Sequence, residues 1–130
     1  MKEITASKVA VMIRPLPFRD EPPLSPTDYV IRGGAFEKEP TIRSFDRCLK
    51  VHGVAAVSAA ASAGAQPNEI IAMSRILRRI EHHSWSTVEK LQNAGFDLVA
   101  TGDAPHYTLL LPSDDLDDSW DHLVRQFNSL

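Results

Sequence analysis

Residues 96–111, with the sequence FDLVATGDAPHYTLLL, decide the fold class of this chain. The runs Phe96 to Ala100 and His106 to Leu111 have the composition of β-strands, and the turn-forming residues TGDAP lie between them. A short connection with Gly and Pro between two such runs predicts an antiparallel hairpin. Side chains alternate along a strand, so His106 and Thr108 share one face and Tyr107 lies on the other. The sequence leaves open which of these faces meets a cleft.

Helical periodicity appears on both sides of the hairpin. Residues 113–127 predict a C-terminal helix with one apolar face, capped by Ser113 or Asp114. Before the hairpin, the capping-box sequence Ser86-Thr87-Val88-Glu89 predicts a short helix that Gly95 ends.

Two further helices are predicted earlier in the chain. Apolar residues recur at helical spacing after Thr41, which is the expected N-cap, and Gly53 is the expected stop. A second apolar stripe begins at Pro67 and predicts one helix that continues to Ile80.

Three apolar runs outside the hairpin predict strands. Val9 to Ile13 and Tyr29 to Arg32 are short runs bounded by Pro or Gly. The Ala-rich run Val54 to Ala60 is compatible with a strand or a weak helix, and we predict a strand because Gly53 and Gly64 bound it. Between the first two strands, residues 15–27 (PLPFRDEPPLSPT) are rich in proline, which predicts a loop outside the central ladder that is suited to binding a partner.

These elements predict a single α+β domain over residues 1–130, with a mixed or antiparallel sheet of about five strands and three to four helices. The chain has 130 residues, of which 43% are hydrophobic and 24% charged, so it can bury one core without disulfides. Its net charge of -3 gives no overall attraction to nucleic acid or membranes. No apolar run is long enough for a bilayer helix and no secretion signal is evident, so a cytoplasmic location is expected.

Three residues are candidates for a functional site. Arg32 ends a strand beside Gly33, where a ligand can approach the backbone and a guanidinium can hold phosphate or carboxylate; a solvent-exposed arginine is the alternative. Ser58 lies among small residues that admit either a ligand or close packing. His106 is a hydrogen-bonding or acid–base candidate, or else a structural histidine.

Other polar clusters have simpler explanations. The five histidines match no zinc-ligand spacing, so no metal site is expected. Cys48 is the single cysteine and is expected to be a buried thiol. The basic cluster Arg75, Arg78 and Arg79 is either a phosphate contact or a solvated helix end.

Three segments carry a resemblance to a known family: YVIRGG at 29–34, SFDRCL at 44–49 and PHYTLLLP at 105–112. They resemble segments of small bacterial effector toxins that have an ADP-ribosyltransferase-like fold. The closest resemblance is between PHYTLLLP and a His-Tyr-Thr-apolar-apolar-Pro segment of the toxins. The chain departs from the wider transferase pattern because no Gln/Glu-x-Glu motif lies on a late strand.

The resemblance implies a split mixed sheet that clasps NAD. It implies that Arg32 grips the dinucleotide, with Gly33 and Tyr107 also at the cofactor. Ser58 would support the nicotinamide ribose, and Ser58 and His106 are the implied catalytic residues. It further implies a macromolecular target and a neutralising antitoxin or immunity protein.

Two other functions remain open from the sequence. A small interaction protein, such as an antitoxin, immunity protein or complex subunit, would use residues 15–27 or the acidic final helix as its contact surface. The segments His82-His83-Ser84-Trp85 and His106-Tyr107-Thr108-Leu109 also fit the loose His-x-Ser/Thr-apolar pattern of two-histidine phosphoesterases.

Overall fold

A computed structural model of the protein describes residues 13–34 and 37–130. Its centre is a six-stranded sheet with the strand order β4-β5-β2-β1-β3-β6. Every pairing between neighbouring strands is antiparallel. The strands are β1 (Tyr29–Gly33), β2 (Ala56–Ala61), β3 (His83–Thr87), β4 (Asp97–Ala100), β5 (His106–Leu110) and β6 (Asn128–Ser129).

Helices cover both faces of this sheet. In the described part of the chain they are α1 (Lys38–His52), α2 (Pro67–Met73), α3 (Val88–Asn93) and α4 (Leu116–Arg125), with a single 3-10 turn at Leu77–Arg79. The predicted α+β fold class is therefore confirmed, with an antiparallel sheet. None of the helices within 13–34 and 37–130 has the length and apolarity needed to cross a bilayer.

The two faces of the sheet build two separate cores, as strand alternation requires. On one face, Val30 of β1 joins a main core with Phe45 of α1 and Leu123 of α4. On the other face, Ile31 joins a smaller core with Ile70 of α2. Complete burial of side chains of this size stabilises the fold by about 1.5–3 kcal/mol each.

The hairpin predicted from residues 96–111 is confirmed, with β4 and β5 paired in a register that places Val99 opposite Thr108. The proline-rich residues 15–27 form no regular element, as predicted, apart from an isolated bridge between Phe18 and Thr101. The strands predicted at Tyr29 to Arg32 and Val54 to Ala60 correspond to β1 and β2. The strand predicted at Val9 to Ile13 falls mostly in residues 1–12, outside the described residues.

Two strands were not expected from the sequence. β3 takes its place by pairing with β1 along its whole length, and β6 adds only two residues beside β3. Both strands form by pairing with residues that are distant in the sequence, and local periodicity carries no information about such pairing.

The N-caps predicted for two helices were wrong by one or two residues. Thr87, not Ser86, caps α3, because Ser86 belongs to β3 and pairs with β1. Asp115, rather than Ser113 or Asp114, caps α4. In each case the side chain accepts a hydrogen bond from a backbone N–H of the first turn.

The predicted start of α1 was also wrong. The helix begins after Glu37, so Thr41 lies inside it and Pro40 lies in the first turn, where a missing N–H leaves no helical bond unmade. The predicted stop is confirmed: Gly53 adopts φ 70° and its N–H bonds to the Leu49 carbonyl oxygen at 3.0 Å.

The long helix predicted from Pro67 to Ile80 is broken in the structure. α2 ends at Met73, and Ser74 is extended, with ψ 117°. The Ser74 hydroxyl accepts a hydrogen bond from the Leu77 N–H at 3.1 Å, so it starts the separate 3-10 turn in place of a continuing helix. In the resulting segment, residues 73–80, Leu77 and Ile80 pack over β1 in the core of Ile31.

We predict that Gly33→Ala destabilises the protein by about 1–3 kcal/mol, because a Cβ at this position would overlap the Cδ1 of Ile80 and press on Leu77. Urea denaturation of Gly33→Ala, Ile80→Ala and the double variant measures the coupling. The double variant should recover part of the loss caused by Gly33→Ala. Strictly additive losses would contradict the steric explanation.

Candidate functional site

The pairing between β1 and β2 is interrupted part-way along both strands. Their ladder holds only Val30 opposite Ala61 and Ile31 opposite Ala60. The same register would next place Arg32 opposite Ala59 and then Gly33 opposite Ser58, and all four residues still belong to their strands. The strands separate there, which opens the sheet.

A hydroxyl of α1 takes over the hydrogen bond at the opening. The Ser58 N–H donates to Ser44 Oγ at 3.0 Å, so the peptide that leaves the ladder is still paired. The Ser44 hydroxyl in turn donates to Ser58 Oγ at 3.4 Å. α1 is thereby joined to β2 beside the gap.

A cleft of about 900 Å³ lies at this opening, and we call it the central cleft. Its volume is within the range of small-molecule sites. It is lined by both separated strands, by the edge of α1, by the segment over β1 and by the hairpin turn; the residues are 31–33, Pro40, Ser44, 58–60, 73–78, Ile80 and 102–106.

Ser58 and His106 are in direct contact in the central cleft. The β2–β5 register places Ser58 opposite Thr108 and Ala60 opposite His106, so the polar side chains emerge on one face. His106 Nε2 is 3.2 Å from Ser58 Oγ. The Ser58 side chain is exposed and the His106 ring is partly buried.

The other side of the imidazole is held by the first residue of the hairpin turn. His106 Nδ1 lies 3.0 Å from Thr101 Oγ1 and 3.3 Å from the Thr101 carbonyl oxygen. Thr101 is buried and its hydroxyl is 2.8 Å from that of Thr108. Arg19 fixes the backbone behind the ring, because its Nη1 donates to the carbonyl oxygens of Thr101 and His106 at 2.5 and 2.6 Å.

This environment favours a neutral imidazole. Burial lowers the pKa of His106 below its usual 6.5, the hydrogen bond to Thr101 opposes that shift, and the Arg19 cation adds to it. At neutral pH the ring is therefore available as a proton acceptor.

Arg32 lines the central cleft, but its side chain leaves β1 on the face opposite to that of Ser58 and His106. Alternation along β1 places it on the face of Val30, whereas Ser58 and His106 lie on the face of Ile31. Arg32 Nη2 donates to Thr41 Oγ1 at 3.0 Å, and Thr41 donates to the Glu37 carbonyl oxygen.

No carboxylate of the described residues forms an ion pair with Arg32. Burial lowers the pKa of Arg32 to about 10, so the guanidinium remains a cation at neutral pH. Buried charges are normally paired, and among the described residues the side-chain partner of this cation is a hydroxyl, that of Thr41.

The remaining predicted site residues differ in their placement. Gly33 lines the central cleft beside Arg32. Tyr107 does not: it is buried in the main core on the other face, with the Arg19 guanidinium 5.3 Å from its ring centroid. Burial is the main reason why the pKa of Tyr107 is raised.

Several residues of the site had weak signals or none in the sequence. Ser44 is one of many polar helix residues, and Thr101 is an ordinary turn residue. Arg75 and Arg78 belong to a basic cluster that the sequence shows, and the structure places both in the lining of the central cleft. Asp103 is the one carboxylate among the described lining residues.

The other histidines lie outside the central cleft. His52 and His122 contact the backbone carbonyl oxygens of Arg14 and Ala94. His83 Nε2 contacts the Leu77 carbonyl oxygen at 2.7 Å, and neither His82 nor His83 lines the cleft. Within the described residues no group of three or more His, Cys, Asp or Glu side chains is arranged to hold a metal ion.

Comparisons of the chain with protein-family models, with curated proteins and with solved structures find no significant match.

We predict that Ser44→Ala lowers the free energy of unfolding by about 1 kcal/mol, because the Ser58 N–H loses its acceptor. Hydrogen exchange followed by NMR gives the sharper measurement. The Ser58 amide should exchange faster in Ser44→Ala while the Val57 amide, which faces β5, is unchanged. Equal acceleration at both amides would mean that the variant loosens β2 generally.

We predict that His106 makes the protein less stable as the pH falls. Its pKa is lower in the folded state than in the unfolded state, so the unfolded state binds more protons below about pH 6.5. The free energy of unfolding should therefore fall more steeply from about pH 7.5 to 5 in the wild type than in His106→Gln. Parallel curves would contradict the lowered pKa.

Proposed function

We propose that this chain is a small bacterial toxin or effector that binds NAD in the central cleft and transfers ADP-ribose to a macromolecular target. The observation that carries the proposal is Arg32, a partly buried cation at the point where β1 and β2 separate. Its lack of a carboxylate partner among the described residues suits an anionic ligand, and a guanidinium holds phosphate oxygens through paired hydrogen bonds.

The rest of the cleft supports the same class of ligand. Arg75 and Arg78 add two cations to its lining, and Asp103 is the single carboxylate among the described lining residues. A positive, partly enclosed cleft of about 900 Å³ can attract and hold a dinucleotide diphosphate. The separation of β1 and β2 also fits the split in the sheet that the resemblance at YVIRGG and PHYTLLLP implies, although the described strands pair only antiparallel and the implied sheet is mixed.

Ribosyl transfer needs a group that accepts the proton of the attacking hydroxyl and a group that stabilises the positive charge on the ribose, and the cleft offers both. NAD supplies the ribose C1′ from which nicotinamide departs. The neutral His106 is suited to accept the proton of an attacking hydroxyl, and Ser58 offers a hydroxyl for hydrogen bonding to a ribose. Asp103 is the carboxylate available to stabilise positive charge, in place of the late-strand Gln/Glu-x-Glu motif that the chain lacks.

A toxin of this kind requires a neutralising partner, and the mouth of the central cleft offers a surface for one. Met73 and Ile76 are 48% and 69% exposed, beside the exposed cations Arg75 and Arg78. An antitoxin or immunity protein with an acidic, partly apolar segment would fit this rim and cover the cleft. We place the protein in the bacterial cytoplasm, where NAD is available.

We predict that the purified protein binds NAD in isothermal titration calorimetry and that Arg32→Gln weakens binding about 10-fold or more, since a charge-assisted hydrogen bond contributes about 1.5–3 kcal/mol. Arg43→Gln is the matched control, because Arg43 is an exposed arginine of α1 outside the cleft lining. It should bind NAD as the wild type does. A folded wild-type protein that does not bind NAD would refute the proposal.

Induced expression in bacteria tests the toxin assignment. The wild type and Arg43→Gln should arrest growth, whereas Arg32→Gln should not, with thermal melts to show that each variant folds. Growth that continues at wild-type expression levels would contradict a toxin and would favour the interaction-protein alternative.

A further inference from the structure

One tautomer of His106 satisfies all the contacts of its ring. Nδ1 lies 3.0 Å from Thr101 Oγ1, which can donate or accept, and 3.3 Å from the Thr101 carbonyl oxygen, which only accepts. With the ring proton on Nδ1, both contacts are hydrogen bonds. Nε2 then carries a lone pair, and the Ser58 hydroxyl 3.2 Å away donates to it. This is the polarity of a nucleophile hydrogen-bonded to its general base, with the base oriented by a third group.

Ser44 completes the arrangement around the Ser58 oxygen. Its hydroxyl donates to Ser58 Oγ at 3.4 Å and accepts from the Ser58 N–H at 3.0 Å. The Ser44 hydroxyl thus occupies a lone pair of Ser58 Oγ, and the Ser58 proton is left to point at His106.

From this geometry we propose that Ser58 is a nucleophile, that His106 is its general base, and that the central cleft hydrolyses activated carboxylic esters that carry an anionic group. This activity goes beyond ADP-ribose transfer and needs no NAD. The Ser58 side chain is exposed in the cleft and flanked by Ala59 and Ala60, so an acyl group can reach it. Arg75 and Arg78 in the same lining favour an anionic substrate.

The reaction balances with water as the only co-reactant. Ser58 Oγ attacks the ester carbonyl carbon and its proton passes to His106 Nε2. The tetrahedral intermediate expels the alcohol, which takes that proton from His106, and the acyl group stays on Ser58. Water then attacks the acyl carbon, gives a proton to His106, and the carboxylic acid leaves as Ser58 recovers its hydrogen.

Covalent labelling tests the nucleophile directly. A fluorophosphonate probe, incubated with the protein in the absence of NAD, should add one adduct that peptide mass spectrometry places on Ser58. Ser58→Ala should abolish labelling, and Ser62→Ala, which lies outside the cleft lining, should label as the wild type does. An unlabelled wild type that melts cooperatively, or undiminished labelling of Ser58→Ala, would overturn the proposal.

Two variants test the base and its orientation. His106→Gln keeps a hydrogen-bonding group but cannot take up a proton, so the labelling rate should fall about 100-fold or more. Hydrolysis of p-nitrophenyl hemisuccinate should exceed that of p-nitrophenyl acetate in the wild type, and this preference should shrink in Arg75→Gln. An undiminished labelling rate in His106→Gln would exclude His106 as the base.

The pH profile separates this chemistry from a structural role of His106. The wild-type labelling rate should rise with pH to a midpoint below about 6.5, since the ring must be neutral to accept the proton. Among the described residues, the charged groups that lie behind the ring or share the cleft with it are Arg19 behind it and Arg32, Arg75, Arg78 and Asp103 in the lining. The labelling assay contains no NAD and the calorimetry contains no fluorophosphonate probe. Failure of labelling therefore contradicts only the nucleophile proposal, and failure of NAD binding contradicts only the proposed function.

Discussion

The architecture depends on a single change of hydrogen-bond partner at Ser58. Antiparallel strands that begin to pair normally continue, because each unpaired peptide group inside a protein costs free energy. Here β1 and β2 stop after two residue pairs, and the Ser58 N–H binds the Ser44 hydroxyl instead of β1. A side chain of α1, Ser44, thus accepts the hydrogen bond of a backbone N–H that has no partner on β1. The central cleft exists because the Ser44 hydroxyl replaces β1 as the acceptor of the Ser58 N–H, which allows the two strands to separate.

The opening also explains how an acidic chain holds a positive site. The net charge is -3, yet Arg32, Arg75 and Arg78 line the cleft and only one carboxylate of the described lining accompanies them. The acidic residues that dominate the overall balance include the cluster at the start of α4, where they favour the helix dipole. Net charge therefore describes the whole surface and says little about the field inside one cleft.

Local patterns in the sequence predicted the elements better than their arrangement. The hairpin, β1, β2 and the Gly53 stop of α1 follow from alternation, from bounding glycines and from helical spacing, all of which act over a few residues. The break at Ser74 was missed because a serine that bonds its own chain looks the same in sequence as one that faces solvent.

The site was predictable only in part for a related reason. The sequence singled out Arg32, Ser58 and His106, and the structure brings all three to the central cleft. Their relation to one another required the long-range register: Ser58 and His106 are 48 residues apart and meet because β2 pairs with β5. The same alternation that joins this pair separates Tyr107 from it and sets Arg32 on the opposite face. The contribution of Ser44 became visible only once α1 was placed beside β2.

The proline-rich loop has one more consequence, which concerns association between copies of the sheet. Among the described strands β4 lies at an edge of the sheet, and unpaired edges invite further strands to add to them. Backbone groups of the loop occupy the end of that edge: the Arg19 N–H bonds to the Ala100 carbonyl oxygen, and the Gly102 N–H bonds to Pro17. Pro15 and Pro17 have no backbone N–H, so the loop offers a second chain few hydrogen-bond donors with which to form a ladder. The loop that holds the hairpin turn therefore also blocks the addition of a further strand at the Ala100 end of β4.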